Sequence, residues 1–175
     1  MEEFIQSLSI KRLCLPSETN YHYLRSGKIK NSCCCDGNSN HIAVCFNGKF
    51  SKKVNSLKIL SYGTNIYDYS CGLKSKHAEV TAINNLPSQS KNKKNPTKIN
   101  ILVLRVSTTG KLGISKPCFH CILNMNSLPT RGYIIKDILY SNENEEIVKT
   151  SLNKIISEGN FHITKYYKTH DFKLK

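Results

Sequence analysis

Four residues in the middle of the chain have the types and spacing of a metal-dependent catalytic site. His77 precedes Glu79 by two positions, and Cys118 precedes Cys121 by three. One imidazole and two thiolates are three of the four ligands of a tetrahedral catalytic zinc, whose fourth position stays open for water. A carboxylate that does not bind the metal can take a proton from that water and deliver it later. The pattern therefore predicts a zinc centre with His77, Cys118 and Cys121 as ligands and Glu79 as the proton shuttle.

Two short helices are expected to position these side chains. Apolar residues at roughly helical spacing follow His77, namely Val80, Ala82, Ile83 and Leu86. His77 and Glu79 would then lie at or near the first turn. Pro117 suits the first position of a second helix, because proline has no N–H to leave unsatisfied there. Cys118 and Cys121 would share one face of that helix, so the ligands converge if the two helix N-termini lie side by side.

Each half of the pattern has a simpler explanation when it is taken alone. A Cys-x-x-Cys pair also occurs in redox sites and in structural zinc ribbons, and His-x-Glu is common by chance. The order of the halves, the proline before Cys118 and the strand-like run between them together favour the catalytic site. His120 would point away from the face that Cys118 and Cys121 share, so we expect it not to bind the metal.

The composition indicates a single domain with a large excess of positive charge. The 175 residues include 26 basic and 12 acidic side chains, and the net charge of +14 favours phosphate-rich partners. An AT-rich genome would also produce many lysines, so the charge has a second explanation. No apolar run is long enough for a membrane span, and the first residues lack a signal-peptide pattern. We expect a protein of the cytoplasm or nucleus, with no membrane partner and mostly reduced cysteines.

The first part of the chain, residues 1–40, is expected to pack on the domain that follows. Residues 2–13 predict a helix whose apolar side covers a sheet, and residues 17–40 predict a polar loop. Three consecutive cysteines, 33–35, lie in that loop. Their spacing fits no standard ligand pattern, so we interpret them as thiols rather than as a second metal site.

Apolar segments of strand length follow. His41–Phe46 and Leu57–Tyr62 predict two strands, and a hairpin turn at Asn47-Gly48 follows the first. Ile99–Val106 is apolar and β-branched enough to be a central strand. Tyr133–Tyr140 predicts the next strand.

The segment after residue 140 has two possible structures. One is a helix capped by Asn144 that ends at Gly159. The other is a hairpin at residues 141–144, with residues 146–149 as the returning strand. The spacing of the apolar residues favours the helix. Residues 161–167 predict the last strand, and aromatic side chains among the lysines of the tail suit stacked nucleic-acid bases.

The motifs and the order of elements resemble the zinc-dependent cytidine deaminase superfamily over residues 41–167. The resemblance implies an α/β fold with three layers (α-β-α), in which helices flank a mixed five-stranded sheet. Residues 1–40 would form an N-terminal helix and loop packed on this catalytic domain, and residues 168–175 a basic tail. One catalytic zinc ion is implied.

The resemblance also implies contacts with a base. Asn65 matches the base-contacting asparagine of the Gly-x-Asn segment in tRNA adenosine deaminases. The family also uses main-chain groups beside the metal motifs. We therefore expect the Ala78 amide and the carbonyls of Ser115 and Lys116 to contact the substrate.

The implied reaction is hydrolytic deamination of a nucleobase, at C4 of cytosine or C6 of adenine, with release of ammonia. We expect cytosine, converted to uracil, in a polynucleotide (single-stranded DNA or RNA) or in a pyrimidine nucleotide. One alternative is a salvage enzyme for free cytidine or deoxycytidylate. Another is a nucleic-acid-binding protein that kept the fold without turnover, although Glu79 favours an active enzyme. A helix at residues 145–158 would fit the branches that act on polynucleotides or nucleotides, whereas a hairpin favours free nucleosides or another branch.

Overall fold

The computed structural model describes residues 39–48, 57–68, 74–89, 95–164 and 168. Three predictions lie outside these residues: the helix at 2–13, the cysteines at 33–35 and almost all of the basic tail. The division into an N-terminal segment, a catalytic domain and a tail stays a prediction.

The centre of the described structure is a mixed β-sheet. Its strands are β1 (Ser39–Asn47), β2 (Lys58–Thr64), β5 (Thr97–Ser107), β7 (Tyr133–Ser141) and β8 (Ile147–Thr150), in the order β2-β1-β5-β7-β8. Neighbouring strands are antiparallel except β5 and β7, which run parallel. A two-residue strand, β6 (Leu112–Gly113), pairs with the end of β5. A separate ribbon joins β3 (Ile66–Asp68) to β4 (Lys74–Lys76).

The strands that the sequence predicts before residue 140 are confirmed. β1 and β2 are antiparallel neighbours, and β5 lies between β1 and β7, as expected for its continuous apolar run. Alternate residues of β5 point to opposite faces of the sheet. Ile101 and Val103 belong to one buried cluster, whereas Leu102 and Leu104 belong to another on the opposite face.

Three helices pack against the first of these faces: α1 (Ala78–Asn84), α2 (Phe119–Asn126) and α3 (Leu152–Glu158). They contribute Ala82 and Ile83, Ile122 and Met125, and Ile155 to the cluster that contains Ile101. The α/β class and the mixed sheet are therefore confirmed. Within the described ranges the three α-helices lie on this one face, and the helix predicted at residues 2–13 falls in the part of the chain not described.

The helix predicted to begin at Asn144 is wrong, and the hairpin alternative is correct. β8 returns antiparallel to β7, and the helix begins only at Leu152. The turn is stabilised by the side chain of Asn142, whose Oδ1 accepts hydrogen bonds from the main-chain N–H groups of Asn144 (3.0 Å) and Glu146 (2.8 Å). Ser151 then caps α3 by accepting from the N–H of Lys154.

The last strand, predicted at residues 161–167, is not found at residues 161–164, the part of it that the structure describes. Residues 161–164 have no regular structure, and β8 is the fifth strand of the sheet instead. The N–H of Phe119 donates to the carbonyl of His162 at 3.0 Å, and the rings of Phe119 and Phe161 lie 5.5 Å apart. These contacts direct the segment toward the start of α2 rather than into the sheet.

No helix within the described ranges is both long and apolar enough to cross a membrane.

Candidate metal centre

The position of α1 is set by an unusually close approach to β2. A Cβ atom on Gly63 would lie 2.3 Å from the main-chain nitrogen of Ala82, so only glycine fits there. The hydroxyl of Ser61, two residues earlier, donates to the carbonyl of Ala82 at 2.7 Å. The N-terminus of α1, which carries His77 and Glu79, is thereby held against the edge of the sheet.

A side chain from the loop after β2 fixes the first residue of α1. The N–H of Ala78 donates to Oδ1 of Asn65 at 2.8 Å. Ala78 is the first residue of the helix, and His77 is its N-cap with no side-chain cap of its own. Asn65 therefore supplies an acceptor for one of the N–H groups that a helix leaves unpaired at its start.

A serine pair positions the segment that leads into α2. The Ser115 hydroxyl donates to the carbonyl of Val103 in β5 at 2.7 Å and lies 2.8 Å from the hydroxyl of Ser141. Ser115 is buried, and its N–H also donates to the carbonyl of Ser141, the last residue of β7. The loop is thus attached to the carboxyl ends of both parallel strands three residues before Cys118.

The two helix N-termini bring His77, Cys118 and Cys121 together, as predicted. Nδ1 of His77 lies 3.4 Å from Sγ of Cys118 and 3.4 Å from Sγ of Cys121, and the two sulfurs are 3.5 Å apart. Cys118 is the N-cap of α2, and Pro117 lies one residue before the cap rather than at the first helical position. These three residues could hold a metal ion, and His120 is not part of the group.

The triangle fits the ligand geometry of zinc. Bonds of about 2.3 Å to sulfur and about 2.05 Å to nitrogen in a tetrahedral site separate two sulfurs by about 3.8 Å and nitrogen from sulfur by about 3.6 Å. The observed separations are a few tenths of an ångström shorter. Among the described residues no fourth His, Cys, Asp or Glu joins the group. Three protein ligands would leave one position of a tetrahedral ion for water, as in catalytic zinc sites, whereas structural zinc sites have four protein ligands.

The pKa values of the three candidate ligands are shifted in different directions. The hydrogen bond between the Cys118 and Cys121 sulfurs lowers the pKa of Cys118 to about 4, and His77 adds to this effect against the influence of burial. The same hydrogen bond, and to a lesser extent burial, raises the pKa of Cys121. The hydrogen bond to Cys118 raises the pKa of His77. A divalent cation would supply the positive charge that allows both sulfurs to be thiolates together.

Glu79 lies beside this group without being part of it. Glu79 is 5% exposed, and burial raises the pKa of its carboxyl group. The carboxyl group helps to raise the pKa of Cys121, and Glu79 lines the same pocket as His77 and Cys118. A buried carboxylate with a raised pKa suits the exchange of protons near neutral pH.

The metal centre opens into a pocket of about 740 Å³. Its lining includes all the predicted site residues except Ala78 and Cys121. It also includes eight residues that sequence reasoning did not select: His41, Ser75, Arg105, Ile114, Asn160, Phe161, His162 and Thr164. His41 and Arg105 come from the sheet, and Asn160 to Thr164 come from the segment after α3. The motifs gave no local signal for either group, because each reaches the pocket through tertiary packing.

The residues predicted to contact substrate all lie at or beside the pocket. Asn65, Ser115 and Lys116 line it, whereas Ala78 is fully buried and its N–H is already bonded to Asn65. The Ser115 and Lys116 carbonyls accept no hydrogen bond from any described residue. The Lys116 ammonium pairs with Glu158 at 3.7 Å. Contacts between these residues and a substrate stay predictions.

No protein family and no curated protein matches the chain. Among solved structures, the chain is similar to a cytidine deaminase from Burkholderia pseudomallei solved at 1.6 Å. The two share 17% sequence identity and a TM-score of 0.41, over 81% of this chain and 96% of that chain. A similarity this low carries no argument about function. A function has to be inferred from the geometry of the candidate metal centre.

Proposed function

We propose that the protein is a zinc-dependent hydrolase that removes the exocyclic amino group of a nucleobase, with cytosine as the expected base. The observation that carries the proposal is the position of Glu79, a buried carboxylate beside three residues that could hold a metal ion. A structural zinc site has four protein ligands and has no use for such a carboxylate.

Zinc fits the donor set of this centre. One imidazole and two cysteine sulfurs form a donor set that suits zinc. Cys118 and Cys121 are both free cysteines. When bound, zinc supplies a Lewis acid that makes water nucleophilic near neutral pH.

The residues of the chain would supply proton transfer and orientation. Glu79 would accept a proton from the attacking water and deliver it to the ring nitrogen. It would then carry the second proton of that water, from the hydroxyl newly bonded to the ring carbon, to the departing amine, which leaves as ammonia. The carbonyls of Ser115 and Lys116, held in place by the Ser115 hydroxyl, are suitable acceptors for the amino group of the substrate. Asn65 has an amide N–H₂ group that can face the base while its oxygen holds Ala78.

The substrate proposed first is cytosine within a nucleotide or a single-stranded polynucleotide. The net charge of +14 supports a substrate that carries phosphate. The second candidate is free cytidine, and the antiparallel arrangement of β8 on β7 supports it. By the resemblance to cytidine deaminases, this hairpin favours free nucleosides or another branch of the superfamily.

The proposal is tested by ammonia release from the zinc-reconstituted full chain and from its Glu79→Gln variant. Cytidine, dCMP, adenosine, single-stranded DNA and RNA form the substrate panel. Release that requires Glu79 on any member would support the deaminase, and the responding member would identify the substrate. Silence of the wild type across the panel, with zinc bound and with salt-dependent binding of nucleic acid, would favour a binding protein instead.

A further inference from the structure

Two basic residues form a cross-strand pair at the mouth of the metal pocket. His41 in β1 is the register partner of Arg105 in β5, so their side chains project from the same face of the sheet. Arg105 is two residues from Val103, and Val103 belongs to the cluster beneath α1 and α2. The pair therefore lies on the helical face, and both residues line the pocket that contains His77 and Glu79.

The side chain of Arg105 has a defined path. Gly113 in β6 pairs with Arg105, and a Cβ atom at Gly113 would lie 3.2 Å from Cδ of Arg105. The absence of a side chain at Gly113 thus lets the arginine stem lie across the short strand. An arginine whose stem is supported in this way loses less rotamer entropy when its guanidinium binds an anion.

The charges around the pocket are predominantly positive. Within the described lining, Arg105 and Lys116 are cationic, and Glu79 is the one carboxylate. Lys116 pairs with Glu158, but both side chains are about a third or more exposed, so this salt bridge is weak. Glu79 is buried beside the candidate metal ligands, so the other charged side chains of the described lining are both cations.

We propose that His41 and Arg105, assisted by Lys116, form a subsite for a phosphate group of the substrate. The inference rests on the proposed function and refines it: the base enters toward Glu79, and the phosphate of the same nucleotide stays at the basic pair. A guanidinium binds two phosphate oxygens at once through parallel N–H groups, and an imidazole adds a further donor. The preferred substrate is then a nucleoside phosphate rather than a free nucleoside.

Binding, not turnover, tests this subsite. Calorimetry on the full-length Glu79→Gln protein compares cytidine with cytidine 5′-monophosphate, and adenosine with adenosine 5′-monophosphate. We expect the phosphate to tighten binding by about 10- to 100-fold for at least one base. A second substitution, Arg105→Gln, should remove most of this gain, and Arg105→Lys should retain part of it because the charge remains without the bidentate fork.

Lys98→Gln in the same background is the matched control. Lys98 is an exposed cation of the same strand, outside the pocket lining, so its loss changes the net charge equally. A trinucleotide with a central cytosine identifies the source of the phosphate. Tighter binding than the monophosphate would indicate a polynucleotide, and equal binding would indicate a mononucleotide.

The proposal is overturned if nucleoside and nucleotide bind equally, if none of the ligands binds, or if Arg105→Gln and Lys98→Gln lose the same amount. Because the assay needs no turnover, a failure of deamination would leave the phosphate gain unchanged. The two proposals can therefore fail separately.

Discussion

The side-chain oxygen of Asn65 accepts a hydrogen bond from the main-chain N–H of Ala78 at 2.8 Å. This contact joins the loop after β2 to the first residue of α1, directly beside His77, one of the three candidate metal ligands. Two residues that the sequence nominated separately as substrate contacts are therefore bonded to each other. Asn65 therefore has a structural role at the start of the helix, whether or not it also contacts substrate.

Substitution of Asn65 separates these two roles. Asn65→Ala removes the acceptor and should lower the free energy of unfolding by about 1 kcal/mol. Asn65→Asp keeps an acceptor for Ala78 and should restore most of that stability. If the amide N–H₂ group also contacts the base, Asp will not restore turnover. Denaturant unfolding and initial rates on the same two proteins make the comparison, and equal recovery of both quantities would assign Asn65 a structural role only.

Loss of a metal ligand should remove one zinc ion per chain. Cys118→Ser leaves two ligands, and elemental analysis of the purified protein should then show one equivalent less zinc than the wild type. Thermal unfolding should also occur at a lower temperature, because metal that binds only the folded state stabilises it. Cys45→Ala is the control. Cys45 is fully buried in the core and outside the ligand group, so this variant should lose stability but not zinc. Equal zinc in wild type and Cys118→Ser would contradict the assignment.

The contact between β2 and α1 should be intolerant of even one methyl group. In Gly63→Ala the new Cβ would overlap the main-chain nitrogen of Ala82, so the helix would have to shift. We expect a loss of about 2 kcal/mol or more in unfolding free energy, together with weaker zinc retention. Gly110→Ala offers the comparison. No atom lies within 4 Å of a Cβ there, and its cost of about 1 kcal/mol would come from the positive φ alone, with zinc retained.

The metal centre was predictable because its determinants are local. The spacing of His77 and Glu79 and of Cys118 and Cys121, with a helix after each, was enough to bring three ligands to one point. The pocket walls were not predictable in the same way. His41 and Arg105 meet through strand register, and Phe161 reaches the pocket by packing on Phe119, which no pattern near either residue indicates.

The error at β8 has a specific physical cause. Ile147 and Val148, followed by Leu152 and Ile155, suit one face of a helix as well as a strand followed by a helix. The choice was made by contacts outside that pattern, namely the side chain of Asn142 and the pairing of residues 147–150 with β7. The spacing of apolar residues carries no information about such non-local contacts.

The same turn provides a test. Asn142→Ala removes the acceptor shared by the N–H groups of Asn144 and Glu146, and it should cost about 1 to 2 kcal/mol and speed hydrogen exchange of the β8 amides. Asn142→Asp retains the acceptor but loses the donor that bonds Oε2 of Glu146 at 3.1 Å and places two carboxylates together, so it should recover only part of the cost. Unchanged exchange at residues 147–150 in Asn142→Ala would show that strand pairing, and not the turn, holds the hairpin.

The most direct test of the central claim follows oxygen and nitrogen together. The zinc-reconstituted protein is incubated with cytidine 5′-monophosphate or a cytosine-containing oligonucleotide in ¹⁸O-labelled water, and product mass and ammonia are measured. A hydrolytic deaminase predicts uracil carrying one ¹⁸O atom for each ammonia released, at a rate that falls at least about 1,000-fold in Glu79→Gln. Product formed at equal rates by both proteins, or no uracil from either, would contradict the account.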